Sequence, residues 1–183
     1  MVASITPSDV VELVSLEDFL NHPRDRTEWV DGKLIEKTGM TYKHGLAQGM
    51  LIRQWGDYIT SSGKGGEICV GTLCRTLKQA LRPDLAYISP QLLEQFGNNF
   101  TVLPQSFPLI AEVASPDDPT EELFAKSKEY LESGCLEVWL LFPETRIVLI
   151  NTQNRWLLFN ADEVVSTQNV LHGFSVAVSE LLI

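Results

Sequence analysis

The sequence predicts a single α/β domain: a central mixed sheet flanked by helices. Three observations carry this. The chain has 183 residues, close to the roughly 150 expected of one domain. Its apolar periodicity alternates between strand-like and helix-like runs. A strand–helix–strand pattern between Ile110 and Leu140 also suggests a crossover unit inside the sheet.

The elements follow in order. Residues 1–25 are expected to form an N-terminal arm with a short helix at Leu16, where Ser15 and Asp18 resemble a capping box. Residues 26–183 then form one domain. Thr27 to Glu36 reads as a hairpin, with Asp31-Gly32 as its turn. From Thr41 to Thr60, Leu46, Ala47, Met50, Leu51, Trp55 and Tyr58 line one face of a helix. Ser61 to Gly66 ends it as a loop. Strands are expected over Glu67–Val70, Leu73–Gln79 and Asp84–Ser89, and a polar loop runs through Gly97-Asn98-Asn99. Pro108 to Ala114 is apolar enough for a strand covered on both faces. Asp118 should cap the next helix, with Pro119 in its first position, Glu121 completing a capping box and Gly134 closing its end. Leu136–Phe142 is a further buried strand. Arg146–Asn151 and Arg155–Phe159 form a hairpin, and the last strands end at Leu182.

Composition narrows the function classes. The chain is 44% hydrophobic and 21% charged, an ordinary globular balance. No apolar run approaches the roughly 20 residues of a membrane span. Met1 to Leu13 carries Asp9 and Glu12 and no base, unlike a leader peptide, so a cytoplasmic address is expected. Cys69, Cys74 and Cys135 form no C-x-x-C pair, which fits free thiols better than a redox or zinc motif. Nucleotide-binding loops, G-x-S-x-G and H-E-x-x-H are all missing.

The net charge of −10 argues against a nucleic-acid partner, but its distribution is uneven. Gly32 to Pro83 holds eight bases (Lys33, Lys37, Lys43, Arg53, Lys64, Arg75, Lys78, Arg82) against three acids, a net +5. Such a stretch suits either a phosphate backbone or a set of separate solvated faces.

One constellation points to chemistry. Asp84 opens a strand after Arg82-Pro83, and Glu112 lies inside the apolar run Leu109 to Ala114. A carboxylate buried there needs a cation partner. Mg²⁺ held by two carboxylates is one answer, and an ion pair with Arg82 is the other. His44 falls on the apolar face of its helix, as either a core histidine or a site neighbour.

These residues occur in an order that resembles a known family. Asp31-Gly32, Leu34-Ile35-Glu36, His44, Arg82-Pro83-Asp84, Glu112-Val113-Ala114-Ser115-Pro116, Lys126 to Tyr130, Gly134, Glu137-Val138-Trp139 and Gly173-Phe174-Ser175-Val176 together resemble the Uma2 family, also called DUF820. That family is described as restriction-type endonucleases with the PD-(D/E)XK fold. The resemblance covers roughly Glu28 to Leu182. It implies Asp84 and Glu112 as metal ligands for Mg²⁺, with Mn²⁺ as a substitute, and Glu28 as a supporting acid. DNA is the implied substrate, cleaved by water attack on a phosphodiester.

The general motif wants lysine at position 114, on the strand face of Glu112, where this chain has Ala114. In the Uma2 pattern the lysine lies on the following helix and matches Lys126, which would assist the nucleophile. Helical periodicity alone leaves Lys126 and Lys128 equivalent, at opposite edges of one face; both could instead pair with Glu122 and Glu132 on the surface. A homodimer is expected to cover the apolar C-terminal hairpin. Two other functions compete with the endonuclease: an inactive binding module, whose carboxylates form a structural ion-pair network, and a metal-dependent hydrolase of small phosphoesters.

Overall fold

A computed structural model describes residues 14–37, 40–116 and 118–183. Helix α1 (Leu16–Asn21) starts at Ser15, whose Oγ accepts from the Asp18 amide at 3.1 Å and donates to its carboxylate at 2.6 Å. Phe19 anchors α1 against Leu73 and Ala80. Strands β1 (Thr27–Val30) and β2 (Lys33–Glu36) pair antiparallel. Asp31 (φ 49°) and Gly32 (φ 84°) turn the chain with two left-handed residues, the geometry that matches strand twist in a two-residue hairpin.

Helix α2 (Tyr42–Ser62) is capped by the Thr41 hydroxyl and closed by left-handed Gly63. It is followed by β3 (Glu67–Val70), β4 (Leu73–Arg75), β5 (Ala80–Leu81) and β6 (Leu85–Ile88). The run Leu73–Gln79 is therefore not one strand. Thr76 and Gln79 close a tight turn, and the Glu129 carboxylate grips it by accepting from the Thr76 hydroxyl (2.6 Å) and the Lys78 amide (2.9 Å). Where the sequence suggested only a polar loop, α3 (Pro90–Phe96) forms, with Ser89 as cap and Pro90 in its first turn.

After β7 (Val102–Leu103) come β8 (Leu109–Val113), α4 (Thr120–Glu132) and β9 (Glu137–Phe142). The predicted cap of α4 is corrected. The Asp118 carboxylate turns back to accept from the Ser115 amide at 2.8 Å, and Pro119 stands at the cap position without a side-chain bond. The final elements are β10 (Ile147–Asn151), β11 (Trp156–Phe159), β12 (Val164–Ser166), β13 (Ser175–Ala177) and α5 (Val178–Leu181). The chain thus ends in one helical turn rather than a strand to Leu182, because Val178 and Leu181 tuck into the core beside α2.

The principal sheet runs β11-β10-β9-β8-β6-β3, with β8 and β9 parallel and joined over α4; all its other pairs are antiparallel. A second sheet runs β2-β1-β5-β4-β7. Alternation along β8 divides its side chains between two cores. Leu109, Ala111 and Val113 join α2 residues Leu51 and Trp55. Ile110 joins Tyr130 and Leu131 of α4. Trp55 and Trp139 meet edge to face at 5.7 Å in the first core. The sequence-level fold class, a mixed sheet flanked by helices, is the one observed.

Candidate active site

The Glu112 carboxyl sits on the α4 side of β8, one residue before the strand ends, with 2% of the residue exposed. Asp84 lies just before β6, the strand that pairs antiparallel with β8, so its backbone faces the same strand end. The Asp84 amide donates to Glu112 Oε2 at 3.4 Å, and the Val113 amide donates to Asp84 Oδ2 at 2.9 Å. The Tyr130 phenol donates to Glu112 Oε1 at 2.7 Å.

The other side chains come from three further elements. From β1, Glu28 accepts at Oε1 from the Arg82 amide (2.8 Å) and pairs at Oε2 with Lys126 Nζ (2.6 Å). Lys128, two residues on, is 75% exposed and faces Glu132 at 3.7 Å. The helical tie between these lysines is therefore broken by Glu28, which reaches only Lys126. His44 occupies the first turn of α2. Its Nδ1 lies 3.0 Å from Ser115 Oγ, and its Nε2, buried and without a hydrogen-bond partner, lies 3.5 Å from Asp84 Oδ2. One turn later, Gln48 Nε2 donates to the Asp84 carbonyl at 2.9 Å.

Arg82 does not neutralise Glu112. Its guanidinium donates to the carbonyls of Thr27, Gly71 and Arg24, bolting the loop to β1. That neutralising role falls to Lys37, which the sequence reading counted only as one base among eight. Its Nζ lies 2.7 Å from Asp84 Oδ1 and 3.8 Å from Glu112 Oε2, and donates to the Arg82 carbonyl at 2.9 Å. The one signal for it was hairpin register: Thr27 pairs with Glu36, so residue 37 falls beside the start of the strand carrying Glu28.

The charges bear on one another. Burial pushes the Glu112 carboxyl up to about 7, with the neighbouring Asp84 adding to the rise despite Lys37. Burial also penalises Asp84, but Lys37 beside it and the Val113 N–H hold that carboxyl below its ordinary value. Burial opposes the charge of Lys126, yet Glu112 and Glu28 keep its ammonium above the usual lysine value.

These residues line one cleft of about 630 Å³. Among its described residues, Asp25, Glu28, Glu36, Asp84, Glu112, Asp118 and Glu122 face four permanent cations, Arg26, Lys37, Arg82 and Lys126. The cleft is acidic. No three His, Cys, Asp or Glu side chains among the described residues converge at metal-ligand spacing. The Asp84–Glu112 pair nonetheless fits a hard divalent ion, which needs only one or two carboxylates. The chain's own ammonium already stands between them, and His44 Nε2 nearby has no partner.

The eight-base segment does not gather at this cleft. Lys43 pairs with Glu144 and Arg75 with Glu17, while Lys33, Arg53, Lys64 and Lys78 are exposed on separate elements. Cys69, Cys74 and Cys135 are free thiols.

The sequence model of the Uma2 family, described as "Putative restriction endonuclease", matches residues 10–179. This chain belongs to the Uma2 family. No curated protein matches it. Among solved structures it is similar to a DUF820 protein of Anabaena variabilis, described as a "putative nuclease", with a TM-score of 0.82 over 92% of this chain and 97% of that one. At 18% identity, that likeness establishes the shared fold. A Uma2 protein with these carboxylates on adjoining strand ends is nuclease-like. Among the described residues, no helix is long and apolar enough to cross a membrane.

Proposed function

We propose that this Uma2 protein is a divalent-metal-dependent endonuclease that hydrolyses DNA phosphodiesters, with Mg²⁺ or Mn²⁺ at Asp84 and Glu112. The observation that carries this reading is the convergence of Asp84, Glu112, Glu28 and Lys126, from three elements and the loop before β6, on one cleft. Carboxylates buried at this density need cations nearby, and such clusters in a cleft are typical of functional sites. When bound, the metal supplies Lewis-acid stabilisation of phosphate charge and a more acidic water.

The chain's residues divide the remaining work. Asp84 and Glu112 orient the cation, and Tyr130 fixes the Glu112 carboxyl through its phenol. Glu28 holds the Lys126 ammonium at the cleft, where it offers positive charge to the nucleophile and the developing phosphorane oxygens. His44, braced by Ser115, flanks Asp84 as a site neighbour. Residues 26–183 act as the nuclease unit; of the 25 residues before them, 1–13 lie outside the described residues, and α1 packs on the unit through Phe19. A homodimer in the cytoplasm suits this reading: exposed Trp156 and Leu158 on the edge strand β11, with the Phe124 ring tilted against Trp156 at 4.9 Å between centroids, form an apolar patch that a second copy would cover.

The competing reading is a binding module whose carboxylates are satisfied by its own lysines, and the Lys37 and Lys126 pairs favour it. Calorimetric titration with Mg²⁺ and Mn²⁺ separates the two. The wild type should bind, and Asp84→Ala/Glu112→Ala should not. Plasmid and single-stranded DNA should then be cut by the wild type alone. Wild-type protein that binds neither ion, even with DNA added, sinks the enzyme reading.

A further inference from the structure

Among the described residues, Lys37 is the base set against both Asp84 and Glu112. Its ammonium meets the two carboxylates proposed as ligands, 2.7 Å from Asp84 Oδ1 and 3.8 Å from Glu112 Oε2. It therefore stands between them, where a cation serving both would sit. Its side chain still keeps 28% of its surface open to the cleft, so a path for leaving exists. Lys126 differs in that its ion pair goes to Glu28.

The backbone of Lys37 is pinned from both sides. Its amide donates to the Arg26 carbonyl at 2.8 Å, and its carbonyl accepts from Arg26 Nη2 at 3.0 Å. Release of the ammonium therefore needs no backbone movement: it gives up its bonds to Asp84 and the Arg82 carbonyl by rotation about side-chain bonds. An ammonium and a divalent cation cannot both occupy the space between Asp84 and Glu112, and their mutual repulsion at that separation favours displacement of the lysine.

We infer that Lys37 is a built-in counter-ion: it neutralises Asp84 and Glu112 in the metal-free protein and is expelled when a divalent cation binds. The inference rests on the metal-dependent reading above and adds an exchange step to it. The metal enters by displacing the chain's own ammonium, so Lys37 sets the concentration at which the site loads.

Calorimetry with Mn²⁺ and Mg²⁺ on wild type, Lys37→Met and Lys37→Arg tests this. Removing the competing charge in Lys37→Met should tighten Mn²⁺ binding by about tenfold or more. Lys37→Arg, which keeps a cation, should stay within about threefold of wild type. A lysine that merely supports the fold would leave affinity unchanged or weaken it in Lys37→Met, and either result overturns the inference while the metal site stands. If wild type and Lys37→Met both fail to bind, the exchange and the metal-dependent reading fall together.

A second measurement needs no variant. Reductive methylation of the wild type, read by mass spectrometry, should label Lys37 several-fold faster once Mn²⁺ is added, with Lys126 unchanged. Equal Lys37 labelling with and without saturating Mn²⁺ overturns the exchange.

Discussion

Lys126 and Lys128 lie two residues apart on α4, and substitution should tell them apart. Lys126→Met leaves Glu28, 1% exposed, with the Arg82 amide but no direct ion-pair partner, and should destabilise the fold by about 2 kcal/mol or more. Lys128→Met removes a surface pair and should stay within about 0.5 kcal/mol. Urea unfolding of the two variants reads the difference directly. The choice between these lysines was not legible from α4 alone, because the residue that decides it lies 98 positions earlier, on another sheet. Glu112 was legible, since a carboxylate inside an apolar strand is conspicuous in any sequence. Its partner was not: Lys37 follows an exposed strand and looks like ordinary surface charge.

Glu112 also gives the metal-free protein a pH dependence. Its folded value of about 7 lies above the ordinary 4.5, so the native state keeps a proton that the unfolded chain has lost. Its contribution is therefore fully present below 4.5 and is lost as pH rises through about 7. Asp84 acts in the opposite sense, but its window lies below 3.8. Melting curves in chelator from about pH 5 to about pH 8 should show falling stability, and Glu112→Gln should flatten that slope. A wild-type slope that survives the substitution would assign the effect to another group.

At the scale of elements, the buried Glu137 at the start of β9 joins the principal sheet to the segment between β12 and β13. Its carboxylate accepts from the indole of Trp139 (2.7 Å) and from the amides of Gln168 (2.8 Å) and Asn169 (2.7 Å). Glu137→Ala strands three donors and should cost about 3 kcal/mol. Hydrogen exchange should accelerate at Gln168 and Asn169 before it does at β8, and uniform acceleration would argue for a general rather than a local role. Elements with local signals were readable from sequence: the Asp31-Gly32 hairpin, the helix beginning at Thr41 and the β8–α4–β9 crossover. Helix α3 was missed, although Ser89, Pro90 and Gly97 mark both its ends. The break between β4 and β5 did not, because Glu129 imposes that turn from a distant helix. Asp118 likewise had the right residue type for a helix cap, but the Ser115 amide claimed its carboxylate.

For the molecule as a whole, linear charge proved a poor guide to the cleft. A net +5 between Gly32 and Pro83 suited either a phosphate-binding face or separate solvated faces; four of those eight bases pair with the chain's own carboxylates and carbonyls, and the other four stand apart. What the fold builds is an acidic cleft whose attraction for a polyanion must come from added cations. The family was legible at this scale because ordered motifs across nearly the whole chain survive where no single motif is strong.

The site is also divided along the chain. Glu28, Lys37, His44 and Asp84 all precede the exposed stretch Gly97–Asn99, whereas Glu112 and Lys126 follow it. A nascent chain released at that point carries one proposed ligand without the other, as does the complementary piece. Cut there, neither half would hold both proposed ligands, and an ion bound across the two would report that they have found each other again.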